Sequence, residues 1–161
     1  MSARLRGRAV LASVAPALTG STGWAQDAAL FHRLAGSWSG GGTVRLLNAA
    51  PERLRCRADY APSGSTQLRF DVTCASDSFK LQVVSDVIRD GQRLSGTWRE
   101  TGTGVSGQVT GRVGSDHIDA AVSGLGVQAQ LTMALHGRTQ AVKLASQSTL
   151  AGMATVTLRR Q

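Results

Sequence analysis

"RLRCRADYAPSGSTQLRFDVTC", residues 53–74, decides the fold class. Apolar and polar residues alternate with the period of a strand. Leu54, Cys56, Ala58 and Tyr60 share one face, and Arg53, Arg55, Arg57 and Asp59 share the other. The second half repeats the pattern with Leu68, Phe70, Val72 and Cys74 on one face. Between them, Gly64-Ser65-Thr66 supplies a turn, so residues 53–61 and 67–75 read as a hairpin. Setting Tyr60 opposite Phe70 places Leu68 opposite Pro62, Cys56 opposite Cys74, and Asp59 opposite Asp71. Directly opposed carboxylates repel. Arg57 and Arg69, their diagonal neighbours in this register, are expected to offset that repulsion.

The same period runs through most of the chain. "FKLQV" aligns Phe79, Leu81 and Val83, and "VSGQVTGRV" aligns Val105, Gly107, Val109, Gly111 and Val113. "VQAQLTMAL" aligns Val127, Ala129, Leu131, Met133 and Leu135, and the terminal "ATVTLRRQ" aligns Ala154, Val156 and Leu158. Turn-forming clusters interrupt these runs, with Asp90-Gly91 the strongest hairpin signal and "TGTG", 101–104, another turn. Only "DAALFHRLA", 27–35, reads as helix, with Asp27 as N-cap and Gly36 as stop. The sum is about 8–10 short strands with hairpin-length links, all in one domain. A meander with one apolar face can bury it in a closed barrel or in a two-sheet sandwich.

Composition sets the compartment. The chain has 161 residues, and its first eight carry three arginines and no acid. "AVLASVAPALTGSTGWA" follows, apolar and small, ending in a small-residue site at Gly23 and Ala25. This is the pattern of a secretory leader, residues 1–25, leaving a 26–161 β-barrel domain. The apolar run is too short to span a bilayer, and Pro16 interrupts it. Removing the leader takes three of the 18 Lys+Arg and none of the 10 Asp+Glu, so the formal charge falls from +8 to +5. The remaining arginines are scattered singly along strands. That is the pattern of a solvated outer face and argues against a nucleic-acid partner, while leaving contact with an anionic membrane surface open. Export and an even cysteine count make Cys56 and Cys74 a disulfide rather than reactive thiols. A periplasmic or secreted location is expected.

"LAGSWSGGG", 34–42, sets Gly36-Ser37-Trp38 directly after the short helix, and "LSGTWRE" repeats the spacing at Gly96-Thr97-Trp98. The first of these resembles the opening motif of the lipocalin and wider calycin group of β-barrels. The second also resembles avidin-like barrels. The lipocalin resemblance implies a single antiparallel up-and-down β-barrel with a short N-terminal helix closing one end. It also implies that the tryptophan plugs the barrel against an arginine from near the last strand. The matching positions are Gly36 and Trp38, with Arg159 or Arg160 as the arginine and Arg159 taken as first choice. A guanidinium over an indole adds about 1 kcal/mol of cation–π attraction.

Catalytic patterns are missing from the sequence. His32, His117 and His136 lack metal-ligand spacing, no Gly-x-Ser-x-Gly elbow is present, and the glycine run at 40–42 precedes no helix. A non-enzyme without metal or cofactor is expected. The leading reading is an exported barrel that binds a small apolar or amphipathic ligand. Tyr60, Phe70, Phe79, Leu81, Trp98, Leu131 and Met133 would line its interior, with Tyr60 as the first candidate for a polar anchor. Small inward residues, Gly107, Gly111, Ala120 and Ala129, leave room in that interior or let its walls collapse. The alternatives are a periplasmic protein-binding module of the protease- or lysozyme-inhibitor kind and a structural envelope protein.

Overall fold

The computed structural model describes residues 30–147 and 152–161. The leader and the Asp27 cap lie outside the described residues. A short helix, α1 (residues 30–34), leads into ten strands. These are β1 (Gly36–Arg45), β2 (Glu52–Ser63), β3 (Gln67–Ala75), β4 (Lys80–Asp90), β5 (Arg93–Glu100), β6 (Ser106–Val113), β7 (His117–Gly124), β8 (Val127–His136), β9 (Thr139–Ser146) and β10 (Met153–Arg160). Each pairs antiparallel with its sequence neighbours, and β1 pairs with β10. The sheet is therefore a closed up-and-down barrel, not a sandwich. Closure removes both sheet edges. Among the described residues no helix is long and apolar enough to cross a membrane.

The β2–β3 register is the one the alternation dictates. Tyr60 faces Phe70, Pro62 faces Leu68, and Cys56 faces Cys74, their sulfurs joined in a disulfide. Asp59 faces Asp71 as well, but Arg69 turns away from the pair to Asp86, at 2.9 Å. Instead the Ser37 hydroxyl donates to Asp59, and Gln82 Nε2 donates to Asp71 at 3.5 Å. At the β4–β5 turn, Asp90 pairs with Arg93 around Gly91 and Gln92. Gly91 takes φ 58°, so the glycine sits first in the two-residue loop, the arrangement of a II′ turn.

The inward glycines are not spare volume. A β-carbon added to Gly42 would collide with the Thr155 carbonyl oxygen across the β1–β10 pair. One added to Gly107 would collide with the Ser123 carbonyl oxygen on β7. Neighbouring backbone already occupies the space, and the glycines let the strands coil tightly enough to close. At these positions, neither a cavity nor a collapsed wall explains the small residue.

The two ends of the barrel differ. At the end where β1 begins, α1 inserts as a plug. Leu30, Phe31 and Leu34 are fully buried and pack with Trp38, Val113 and Leu135. Each such side chain contributes about 1.5–3 kcal/mol by leaving water. Arg33 Nη1 donates to the Ser115 carbonyl, 3.2 Å, which ties the plug to the β6–β7 turn. At the opposite end inward Phe79, Val127 and Leu144 are half-exposed, while Val44, Leu54 and Trp98 stay buried. This open end is the mouth.

Candidate functional site

The floor of the lumen is built on β1 and β10. Gly36, at φ 105°, turns the chain out of α1, and Trp38 then points inward and is buried. Its indole Nε1 donates to the Leu34 carbonyl at 2.7 Å, so the plug and the first strand hold each other. Trp38 pairs in register with Arg160, whose guanidinium carbon lies 5.2 Å from the ring centroid. Arg160 Nη2 also donates to the carbonyls of Ala35, 2.6 Å, and Arg33. The partner of Trp38 is thus Arg160, and Arg159 is exposed. The reason is strand parity: Ala154, Val156 and Leu158 point inward, so Arg160 does too and Arg159 cannot.

Above this layer, Tyr60 reaches across from β2 to β9, with Trp38 at 6.5 Å and Phe70 at 5.9 Å between ring centroids. Gln140 Nε2 donates to the Tyr60 hydroxyl at 2.6 Å. Desolvation pushes the phenol up to about 12, the hydrogen bond from Gln140 opposing it, so the group stays neutral and keeps a proton to donate. Gln140 is buried, and its Oε1 has no hydrogen-bond partner among the described residues. A buried amide oxygen without a donor costs about 1–3 kcal/mol. The pattern signals Gln140 only weakly, as a polar residue at the inward position of an otherwise apolar alternation.

The other residues expected inside divide by height. Met133 is buried low in the barrel, and Trp98 is buried with Nε1 donating to the Ser123 carbonyl at 3.0 Å. Phe70, Phe79 and Leu131 are half-buried and pack against the core. Leu81 differs: it has inward parity beside Cys74, yet it is 38% exposed at the rim. It is the second residue of β4, at the mouth end of the strand. The remaining buried polar side chains are Ser85, Arg89 and Glu100. Ser85 Oγ donates to the Thr97 carbonyl at 2.8 Å, and Arg89 Nη2 to the Gly91 carbonyl at 2.8 Å. Glu100 accepts from Thr103 Oγ1 at 2.6 Å and from the amides of Thr103 and Gly102. These bonds, the Thr103 hydroxyl first, hold its carboxyl down at about 2. Glu100 is therefore an ionised turn cap rather than a proton donor.

His32, His117 and His136 are all exposed. Among the described residues no group of three or more His, Cys, Asp or Glu side chains is placed to hold a metal ion. A hollow of about 540 Å³ lies on the outer wall, where Gly41, Ala141, Lys143 and Thr157 point away from the lumen. Closure and plug define a small antiparallel barrel with an apolar interior, stoppered at one end by α1.

The chain matches no protein-family model, and no curated protein matches it in sequence. Solved structures of the same architecture do match. Rv2717c from M. tuberculosis aligns with TM-score 0.67 and 15% identity, over 80% of this chain and 93% of that one. The S-type phycobiliprotein lyase CPES from Guillardia theta aligns with TM-score 0.55 and 15% identity, over 81% and 90%. EF1p2_mFAP2b, bound to DFHBI, aligns with TM-score 0.53 and 11% identity, over 84% and 99%. At these identities the likeness is one of fold.

Proposed function

We propose that the protein is an exported, non-catalytic barrel that takes a small apolar or amphipathic molecule through its mouth. One observation carries the reading. Several inward apolar side chains are only half-buried, among them Phe70, Val72, Leu131, Val142 and Val156. A solid core would bury them all. The Tyr60 hydroxyl proton and the Gln140 amide oxygen add a donor and an acceptor at the floor, where an amphipathic ligand would set its polar tip. A barrel of this architecture, EF1p2_mFAP2b, holds the small molecule DFHBI, and another is a phycobiliprotein lyase. The Cys56–Cys74 disulfide and the basic, apolar leader sequence support export. The Gly36-Ser37-Trp38 turn, its helix and the Arg160 stack support a lipocalin-like assignment within the small barrels.

Titrating a fluorescent fatty acid or retinoid analogue into delipidated protein tests this. Saturable uptake on the order of micromolar is expected, since apolar burial alone reaches that strength. Leu131→Trp, which fills the half-exposed wall of β8, should abolish the uptake while leaving the melting transition in place. No uptake by the native chain, or equal uptake by the variant, contradicts the reading.

A further inference from the structure

The described residues include five exposed large apolar side chains, and four of them stand at the mouth. Leu47, 54% exposed, is in the β1–β2 link, and Leu81, 38%, is the second residue of β4. Leu125, 88%, tips the β7–β8 turn, and Met153, 50%, begins β10. They are spread around the rim rather than gathered on one side. Just below them, the outward positions Arg45, Arg53, Arg55, Lys80 and Arg99 are exposed cations. Against these five stands one exposed described carboxylate at that end, Asp77. Two further carboxylates at that end keep their charge: Glu52, half-buried, accepts from the Ser78 hydroxyl at 2.7 Å, and Glu100 accepts from the amides and hydroxyl of its own turn.

We infer that the mouth docks onto an anionic lipid surface, with Leu47, Leu81, Leu125 and Met153 entering the bilayer interface and the arginine–lysine collar meeting the headgroups. Apolar tips arranged around a ring address a plane, and a bilayer is planar. A protein partner would instead favour a continuous patch on one side of the rim. The excess of cations, five against three carboxylates, matches an anionic surface, and the combination of apolar insertion with basic contacts is how interfacial proteins bind lipid. In this pose the lumen opens directly onto the membrane, but the surface stands whether or not the interior is filled.

The test is co-sedimentation with vesicles of phosphatidylcholine mixed with phosphatidylglycerol, compared with phosphatidylcholine alone. Binding to the anionic vesicles, weakened by added salt, is expected. Replacing Arg53 and Arg55 by Ser should lower the partition coefficient about fivefold per charge, and Leu125→Asp by about tenfold. Ile88→Asp serves as control: Ile88 is 50% exposed, but on the outer wall near the plugged end. Equal binding to both vesicle types, salt-insensitive binding by the native chain, or an equal loss from Ile88→Asp overturns the inference. So does failure to bind either vesicle combined with self-association that Leu125→Asp removes, which would assign the rim to a second copy of this chain.

Discussion

Tyr60 is the one tyrosine in the chain, so its ionisation can be followed without interference from another phenol. With the phenol pushed up to about 12, the absorbance titration of the folded protein should have its midpoint well above 10. In denaturant it should return to about 10. The sign follows from the raised value. The contribution to stability is complete below pH 10 and is lost as pH rises through 12. A folded midpoint at the ordinary value would mean that water reaches the hydroxyl and that the floor is open. Much of this layer was legible in the sequence. Tyr60, Phe70 and Trp38 follow from strand parity and the Gly-x-Trp spacing. Gln140 was not, because a polar side chain on an apolar face weakens the very alternation that would locate it. Arg160 was within reach: counting in twos from Leu158 gives 160, not 159.

At the scale of elements, the β5–β6 link shows how a strand end is held by its own charge. The Glu100 carboxylate ties down the amides of Gly102 and Thr103 and the Thr103 hydroxyl. Its carboxyl lies at about 2, below the usual carboxylate value, so the ionised form supports the turn. That support is complete above the ordinary glutamate value of 4.5 and is lost as pH falls through about 2. Melting temperatures of the native chain should therefore drop across that window, and those of Glu100→Gln should drop less steeply. Equal slopes would show that the turn does not depend on the charge. Sequence pattern served the hairpins well, since turn residues and period-two runs are local. It served the inward glycines badly. Their role depends on how near the adjacent strand comes, as at Gly42 against Thr155, and one strand's sequence does not carry that distance.

At the scale of the molecule, alternation says that one face of each strand is buried but not whether the sheet closes on itself. Barrel and sandwich share the same local signals. The difference rests on the β1–β10 pairing, which joins residues at opposite ends of the described chain, Trp38 with Arg160. The asymmetry of plug and mouth was half legible. The helix and its tryptophan marked the closed end, but nothing local marked Leu81 as a rim residue. Trp38 binds helix, first strand and last strand together, so Trp38→Ala should cost about 3–5 kcal/mol in equilibrium unfolding. A loss under about 1 kcal/mol would show that the indole is not a structural plug.

The β1–β10 seam also sets an order of events in time. Nine of the ten strand pairings join neighbours in sequence, and the tenth must wait for the last strand. Short loops close before long ones, because chain entropy opposes distant contacts most. The hairpins therefore zip first, and the seam closes after them. Contacts made across the seam are absent at the folding barrier, so their loss is felt on the way out rather than on the way in. The destabilisation in Trp38→Ala should then appear as faster unfolding with nearly unchanged refolding. A variant that refolds slowly instead would place the seam at the start of folding, with the hairpins gathering around it.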